Sequence, residues 1–428
     1  MKKVLIITYY WPPAGGPGVQ RWLKFVKYLK GFDVEPVVYI PENPHYPLID
    51  HSLLDQIPKG IKIMKLPIKE PYGFAKLFVK QKTQTISSGI IPKNKPSPIE
   101  KLMLFVRGNF FIPDARVGWV KPSVEFLNDY LIENPVDVII TTGPPHSLHL
   151  IGKELKKQTQ TTWIADFRDP WTTIGYHKEL RLTRASQQKH KQLEKEVLQT
   201  ADYILVTSPT TKKEFEAITQ KPIEVITNGF DVEISTETEF DEKFTLAHIG
   251  SLLSERNPVM LWKVLSDLVN ENEAFKMDFE LKLAGVVSDD VLKSISNYQL
   301  SKHLNNLGYV SHKQSIELQI KSQVLLLIEI DSHETKAIIP GKLFEYLAAK
   351  RPIVAIGPEG SDIEEIINRT EAGMYFDFFR ESELKAHILS LYQKFKVGKL
   401  EVTSKNIEQY SRKNLTKKLV EIINSTGS

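Results

Sequence analysis

The run Val4-Leu5-Ile6-Ile7-Thr8, then Trp11-Pro12-Pro13-Ala14-Gly15-Gly16-Pro17-Gly18, then Val19, Trp22, Leu23, Val26 and Leu29 at spacings of three and four reads as a strand, a tight turn and a helix in succession. Lys2 and Lys3 precede the apolar run. That run is too short for the core of a secretory leader, and a Gly/Pro cluster stands where a small-residue cleavage site would follow. The first element is therefore expected to be a β-strand of the folded protein.

The same unit recurs along the chain. Strands are expected at Val34–Ile40, Val136–Thr141, Thr162–Asp166, Tyr203–Thr207 and Ile223–Ile226 in the first half. Thr245–Ile249, Glu280–Ala284, Val324–Ile328 and Pro352–Ile356 follow in the second half. Strands separated by helical patterns make parallel sheets covered by helices on both faces. The expected fold class is α/β, with two Rossmann-like doubly wound domains facing each other across a cleft. The expected boundaries are 1–230, 231–405 and a terminal helix at 406–428 that crosses back to the first domain. At 428 residues the chain can bury two such cores without disulfides. It has no cysteine, which excludes thiol nucleophiles and Cys-ligated zinc and fits a reducing, cytoplasmic compartment. No stretch approaches the roughly 18 apolar residues of a membrane span.

Charge is unevenly distributed. Residues 1–200 hold 29 Lys+Arg against 18 Asp+Glu, whereas the whole chain is only +4, so the second half is acidic. Residues 59–121 concentrate 13 Lys+Arg against Glu70, Glu100 and Asp114, interleaved with Tyr72, Phe74, Phe78, Phe105, Phe110, Phe111 and Trp119. Basic heads on apolar bodies suit an anionic membrane interface, and a peripheral location at the inner membrane face is the matching expectation. An irregular helical insertion with core aromatics is the competing reading. Nothing resembles an RNP, helix-turn-helix or zinc-finger pattern, so nucleic acid is not an expected partner.

In doubly wound sheets ligands bind beyond the carboxyl ends of the strands. Gly16 and Gly18 follow the first strand, where backbone N–H groups and a helix start can meet a phosphate or sugar. His146, in Pro144-Pro145-His146-Ser147, follows another strand and is a candidate proton shuttle or sugar ligand. Asp166, Arg168 and Asp169, within Trp163-Ile164-Ala165-Asp166-Phe167-Arg168-Asp169-Pro170-Trp171, are candidate acceptor-binding groups; a local ion pair is the alternative. In the second half, Ser251 and Arg256 follow His248-Ile249-Gly250, and arginine suits a diphosphate because its planar fork bonds phosphate oxygens in pairs. Pro340 and Gly341 mark a helix start in Ile338-Ile339-Pro340-Gly341-Lys342-Leu343-Phe344-Glu345-Tyr346. Lys342 then lies in the first turn, where a cation is poorly placed unless an anion joins it. Glu345 lies one turn on, and an i,i+3 ion pair between the two is the competing reading.

Here the chain resembles the retaining GT-B glycosyltransferases of family 4, the group 1 glycosyltransferases. Pro340-Gly341-Lys342-Leu343-Phe344-Glu345-Tyr346 resembles that family's Pro-Ser-Lys-x-x-Glu-Tyr variant, continued by Arg351-Pro352-Ile353-Val354-Ala355. Gly15-Gly16-Pro17-Gly18 resembles its N-terminal glycine loop, and Thr227-Asn228-Gly229-Phe230-Asp231 its crossover. Pro144-Pro145-His146-Ser147 and Asp166-Phe167-Arg168-Asp169-Pro170-Trp171 are similar to signatures of its bacterial surface-polysaccharide members. The resemblance implies transfer of a sugar from a nucleotide-diphosphate sugar, of UDP or GDP type, to a saccharide or lipid-linked acceptor, with retention and without metal or other cofactor. It implies that Arg256 and Lys342 neutralise the diphosphate, that Glu345 binds ribose, and that Ile339, Pro340 and Gly341 offer backbone to the leaving phosphate. Gly16 would lie near the donor phosphate or acceptor, and His146 near the donor sugar. Two departures stand out. Ala337 replaces the first Glu of the family's Glu-x₇-Glu, with Glu334 nearby, and Asn257 follows Arg256 where the family pairs Arg with Lys. A nucleotide-sugar epimerase or hydrolase on the same fold, or a non-catalytic sugar-nucleotide-binding scaffold, are the alternatives.

Overall fold

In the computed structural model, residues 1–70, 98–175, 177, 180–231 and 239–426 are described. Contacts divide the chain into two units, residues 1–227 with 412–428, and residues 228–411.

The first unit is built on a seven-stranded parallel sheet. Its strands are β1 (Lys2–Ile7), β2 (Val34–Pro41), β3 (Lys62–Leu66), β4 (Val138–Gly143), β5 (Thr162–Phe167), β6 (Tyr203–Val206) and β7 (Ile223–Val225), in the order β3-β2-β1-β4-β5-β6-β7. Residues 4–7 of β1 are all fully buried. Leu5 and Ile7 enter the core on one face, Val4 and Ile6 that on the other. Burial on both faces is why the central strands read as unbroken apolar runs rather than alternating ones. The second face is covered by the helix Pro17–Leu29, through Trp22, Leu23 and Val26, and by the chain's last helix, Arg412–Ser425, through Leu415, Leu419 and Ile423.

The second unit holds six parallel strands: β8 (Phe244–Ile249), β9 (Phe279–Ala284), β10 (Leu304–Gly308), β11 (Val324–Ile328), β12 (Ile353–Ile356) and β13 (Gly373–Phe376), in the order β10-β9-β8-β11-β12-β13. Leu246 and Ile328 pack into one core, Ala247 and Leu327 into the other. In both units the strand order reverses beside the first strand, between β1 and β4 and between β8 and β11. Loops diverge at such a reversal and leave a crevice at the carboxyl ends of the two strands. The fold class read from the sequence, two doubly wound Rossmann-like sheets, is the one observed. The strands β3, β10 and β13, absent from the sequence reading, are all sheet edges.

Residues 59–121 supply the edge strand β3, the helix Pro98–Phe110, the first two residues of the helix Val120–Glu133, and a core aromatic. Trp119 is 2% exposed and stacks on Tyr39, centroids 5.0 Å apart. Phe110 is 72% exposed. Tyr72, Phe74 and Phe78 lie outside the described residues. Among the described residues no helix is long and apolar enough to cross a membrane.

One polar centre ties the first unit together. Arg21, on the helix Pro17–Leu29, is buried and makes a bidentate pair with Asp166 of β5, Nη2–Oδ1 at 2.7 Å and Nε–Oδ2 at 3.2 Å. Its Nη1 donates to the Ile226 and Thr227 carbonyls at the end of the sheet. Trp22 Nε1 and Thr142 Oγ1 also donate to Asp166. Removing one partner of a buried pair strands the other charge, at about 3–5 kcal/mol. Arg21→Ala should therefore cost about that much stability, seen as a lower urea midpoint for the first unit; an unchanged midpoint would show that the pair is not a structural anchor.

Candidate functional site

In the second unit the chemistry gathers where the strand order reverses. β8 ends at Gly250, whose φ of +128° favours glycine. A Cβ there would stand 3.1 Å from Lys342 Nζ, so the glycine also leaves room for that ammonium. A short 3₁₀ turn, Ser254–Arg256, carries the guanidinium back toward the strand ends. Glu329 follows the all-apolar β11 directly and is 2% exposed. Arg256 Nη2 stands 3.3 Å from Glu329 Oε2, while Arg256 Nε and Glu329 Oε1 are buried with no protein partner.

Lys342 enters this group from the helix Gly341–Ala349. Pro340 is its N-cap, and no side chain caps the helix start. Lys342 Nζ lies 3.3 Å from His248 Nε2. His248 Nδ1 stands 3.0 Å from the Leu326 carbonyl, which can only accept, so Nδ1 carries the proton and Nε2 accepts from the lysine. Burial foremost, with Lys342 beside it, keeps the His248 imidazole neutral. Burial lowers the Lys342 pKa to about 8, against the pull of Glu329. Glu345 instead accepts from Gln319 Nε2 at 2.9 Å, so the Lys342 hydrogen bond runs across the fold to β8 rather than along its own helix. Tyr346 fastens the helix to the strand: its hydroxyl accepts from the Ile249 amide at 2.9 Å. Ser251 is exposed, Ile339 is buried, and Pro340 and Gly341 are half-buried at the helix start. Ala337 is half-buried, and Glu334 lies on the 3₁₀ turn His333–Thr335.

The sequence reading had brought Arg256 and Lys342 toward one ligand, and the fold sets both against Glu329. Glu329 and His248 were not singled out. The signal for the first was a lone acid ending an otherwise apolar strand, and for the second a histidine inside one.

In the first unit Gly16, at φ +95°, is the N-cap of the helix Pro17–Leu29, again without a side-chain cap. Gly18 abuts the Arg168 guanidinium so closely that any Cβ would collide with Nη1. Arg168 also donates to the Pro144 carbonyl and lies over the Tyr10 ring. Asp169 is half-buried beside it, and burial pushes its carboxyl up from the ordinary range. Asp166, read from the sequence as an acceptor group, is out of solvent and accepts four hydrogen bonds from Arg21, Trp22 and Thr142. It is the anchor described above, not an open ligand group. His146 is 5% exposed, stacked on Trp171 at 5.0 Å, and neither ring nitrogen has a partner. Burial, then His149 and Arg168, hold it neutral.

No family model matches the chain, and no curated protein matches it in sequence. Solved structures do match along its length. The lipopolysaccharide outer core galactosyltransferase WaaB is 15% identical with a TM-score of 0.58, covering 99% of each chain. Anabaena HepE, solved with UDP-glucose, is 14% identical with a TM-score of 0.58, covering 99% of this chain and 100% of its own. A Listeria monocytogenes protein assigned as a UDP-N-acetylglucosamine 2-epimerase is 12% identical with a TM-score of 0.56, covering 99% and 96%. At such identities the likeness concerns fold, and the fold is of the GT-B type.

A charged lysine in this position costs the folded chain stability. The linkage has a definite sign. Above 10.5, the ordinary lysine value, folded and unfolded chains are both neutral there and no penalty applies. The penalty grows as pH falls toward about 8 and is complete below it. Lys342→Met should therefore raise the melting temperature of the ligand-free protein at pH 7, by on the order of 2–4 °C, with the gain fading between pH 8 and 10.5. A lower melting temperature at pH 7 would mean that the ammonium is already satisfied without a ligand.

Proposed function

We propose that the protein is a glycosyltransferase that takes a nucleotide-diphosphate sugar, of UDP or GDP type, and transfers the sugar to a saccharide or lipid-linked acceptor. The observation that carries this reading is the convergence of Arg256 and Lys342 beside the uncapped start of the helix Gly341–Ala349, at the strand-order reversal of the second unit. Two cations and a helix N-terminus together suit a diphosphate. They neutralise its charge in the bound donor and again in the leaving nucleotide, so the reading needs no metal and no further cofactor. Glu345 is assigned to the ribose hydroxyls, and the backbone at Ile339, Pro340 and Gly341 to the leaving phosphate. In the first unit we assign Gly16 and Gly18 to the donor phosphate or the acceptor, and Arg168 and Asp169 to the acceptor. His146, a neutral imidazole, is assigned to the donor sugar. Retention of configuration, with the acceptor attacking on the face the nucleotide leaves, belongs to the same proposal, as does a role in cell-surface polysaccharide synthesis.

Donor binding is the first test. In a thermal-shift panel of UDP, GDP, ADP, dTDP and their sugar conjugates, without added metal, one base should raise the melting temperature selectively, because a ligand of the folded state stabilises by mass action. Lys342→Met should weaken that nucleotide by about 10–100-fold, the loss expected of one charge-assisted hydrogen bond. No shift with any nucleotide, or an unchanged affinity in the variant, would contradict the assignment.

The epimerase neighbour favours a second reading, a nucleotide-sugar epimerase or hydrolase on the same fold. Consumption of the donor with no acceptor present would select it.

The basic segment 59–121 is proposed to meet an anionic membrane at the cytoplasmic face. Wild-type protein should bind vesicles containing phosphatidylglycerol and release as salt rises, since surface charge is screened within about 10 Å at 0.1 M. Equal binding to neutral vesicles, or none to either, would remove the membrane from the account.

A further inference from the structure

The cation pair assigned to the diphosphate contains its own counter-ion. Glu329 follows β11 directly, with Oε2 at 3.3 Å from Arg256, Oε1 buried without a partner, and Lys342 near enough to act on its charge. β12, whose Ile356 carbonyl accepts from the Glu329 amide, brings no ionisable group; the other elements around it do. β8 brings His248, the turn after it Arg256, the helix Gly341–Ala349 brings Lys342 and Glu345, and β13 brings Tyr375. His248 stays neutral, with Nε2 already accepting from Lys342. Glu345 is engaged by Gln319. Tyr375 keeps its proton, because burial raises its pKa, and its hydroxyl donates to the Pro358 carbonyl. The charges that face Glu329 directly are therefore its two cations.

A sugar nucleotide brings a negative charge on each of its two phosphates. With those oxygens on Arg256 and Lys342, an ionised Glu329 would be a like charge in a site that water reaches poorly, where such repulsion is weakly screened. Protonated, the same carboxyl becomes a hydrogen-bond donor, and the oxygen that lacks a partner can carry the O–H that a phosphate or sugar oxygen would accept. We propose that Glu329 is a proton-linked residue of the donor site, taking up one proton from solvent as the nucleotide sugar binds and returning it when the nucleotide leaves. The balance is simple: one O–H bond forms on the carboxylate at the expense of a hydronium or buffer acid, and no other bond changes. Burial pushes the Glu329 carboxyl upward, while Arg256 and Lys342 pull it back, so displacing those cations onto phosphate releases the upward push. This deepens the proposed donor site and rests on it.

The test is calorimetric titration of UDP-glucose and of GDP-mannose at pH 7 in PIPES and in imidazole, buffers with different ionisation enthalpies. These diesters have no phosphate group titrating near neutral pH. For whichever binds, the wild-type enthalpy should differ between buffers by an amount equal to uptake of up to one proton. Its affinity should fall by up to about tenfold per pH unit once Glu329 is ionised in the free protein. Glu329→Gln, neutral at every pH, should show no buffer difference and a flatter pH profile. Lys342→Arg should keep the uptake, which separates Glu329 from the lysine. Binding with a buffer-independent enthalpy, or uptake that persists in Glu329→Gln, overturns the proton-linked role and leaves the donor site standing. Binding by neither sugar nucleotide, with no thermal shift from any nucleotide, overturns the donor site and this role with it. Should Glu329→Gln fail to fold, the wild-type buffer comparison decides alone.

Discussion

A lysine half-buried in the first turn of a helix opposes both the helix dipole and part of its own hydration. The carboxyl ends of β8 and β11 are arranged around that cost. His248 offers a lone pair, Glu329 a negative charge, and Gly250 the room for the ammonium to lie against the strand. None of these compensates fully, since the lysine pKa still sits near 8. Strain of this kind, unresolved by the protein's own groups, is what the proposed diphosphate site would relieve. Tyr346 pins the helix to β8 beside the strand-order reversal.

The first unit shows the opposite use of charge. Among the described residues Arg21 and Asp166 are as deeply buried as any ion pair, yet their hydrogen bonds are matched, and Trp22, Thr142 and two carbonyls complete the centre. Of the tract Asp166-Phe167-Arg168-Asp169, the first residue holds the sheet to its covering helix, and the third lies against the glycine turn. Two residues apart on a strand and its end, a carboxylate and a guanidinium thus serve structure and candidate site respectively.

The sequence carried the central strands because parallel strands buried on both faces are continuous apolar runs. It did not carry the edge strands β3, β10 and β13; Lys62–Leu66 and Leu304–Gly308 meet water and mix charged or amide groups with apolar ones, and Gly373–Phe376 is only four residues long. The candidate site was legible where position alone decides, as for Arg256 after β8 and Lys342 at a helix start. It was not legible where tertiary approach decides. Spacing on a helix pairs Lys342 with Glu345, but the fold turns the lysine to His248 of β8 and gives Glu345 to Gln319. Glu329 had no linear partner at all, because its neighbours come from β8's turn and from a helix after it in the chain. His146 was read from its place after β4, and burial against Trp171 is a property of the packed helix layer.

Fold likeness at 12–15% identity leaves the chemistry to these side chains. The measurement that bears on them most directly is an experimental structure with the stabilising nucleotide sugar bound. The account predicts phosphate oxygens within hydrogen-bond distance of Lys342 Nζ and of the Arg256 guanidinium, at the start of the helix Gly341–Ala349. A nucleotide bound elsewhere, with Lys342 still on His248 and Arg256 still on Glu329, would contradict it.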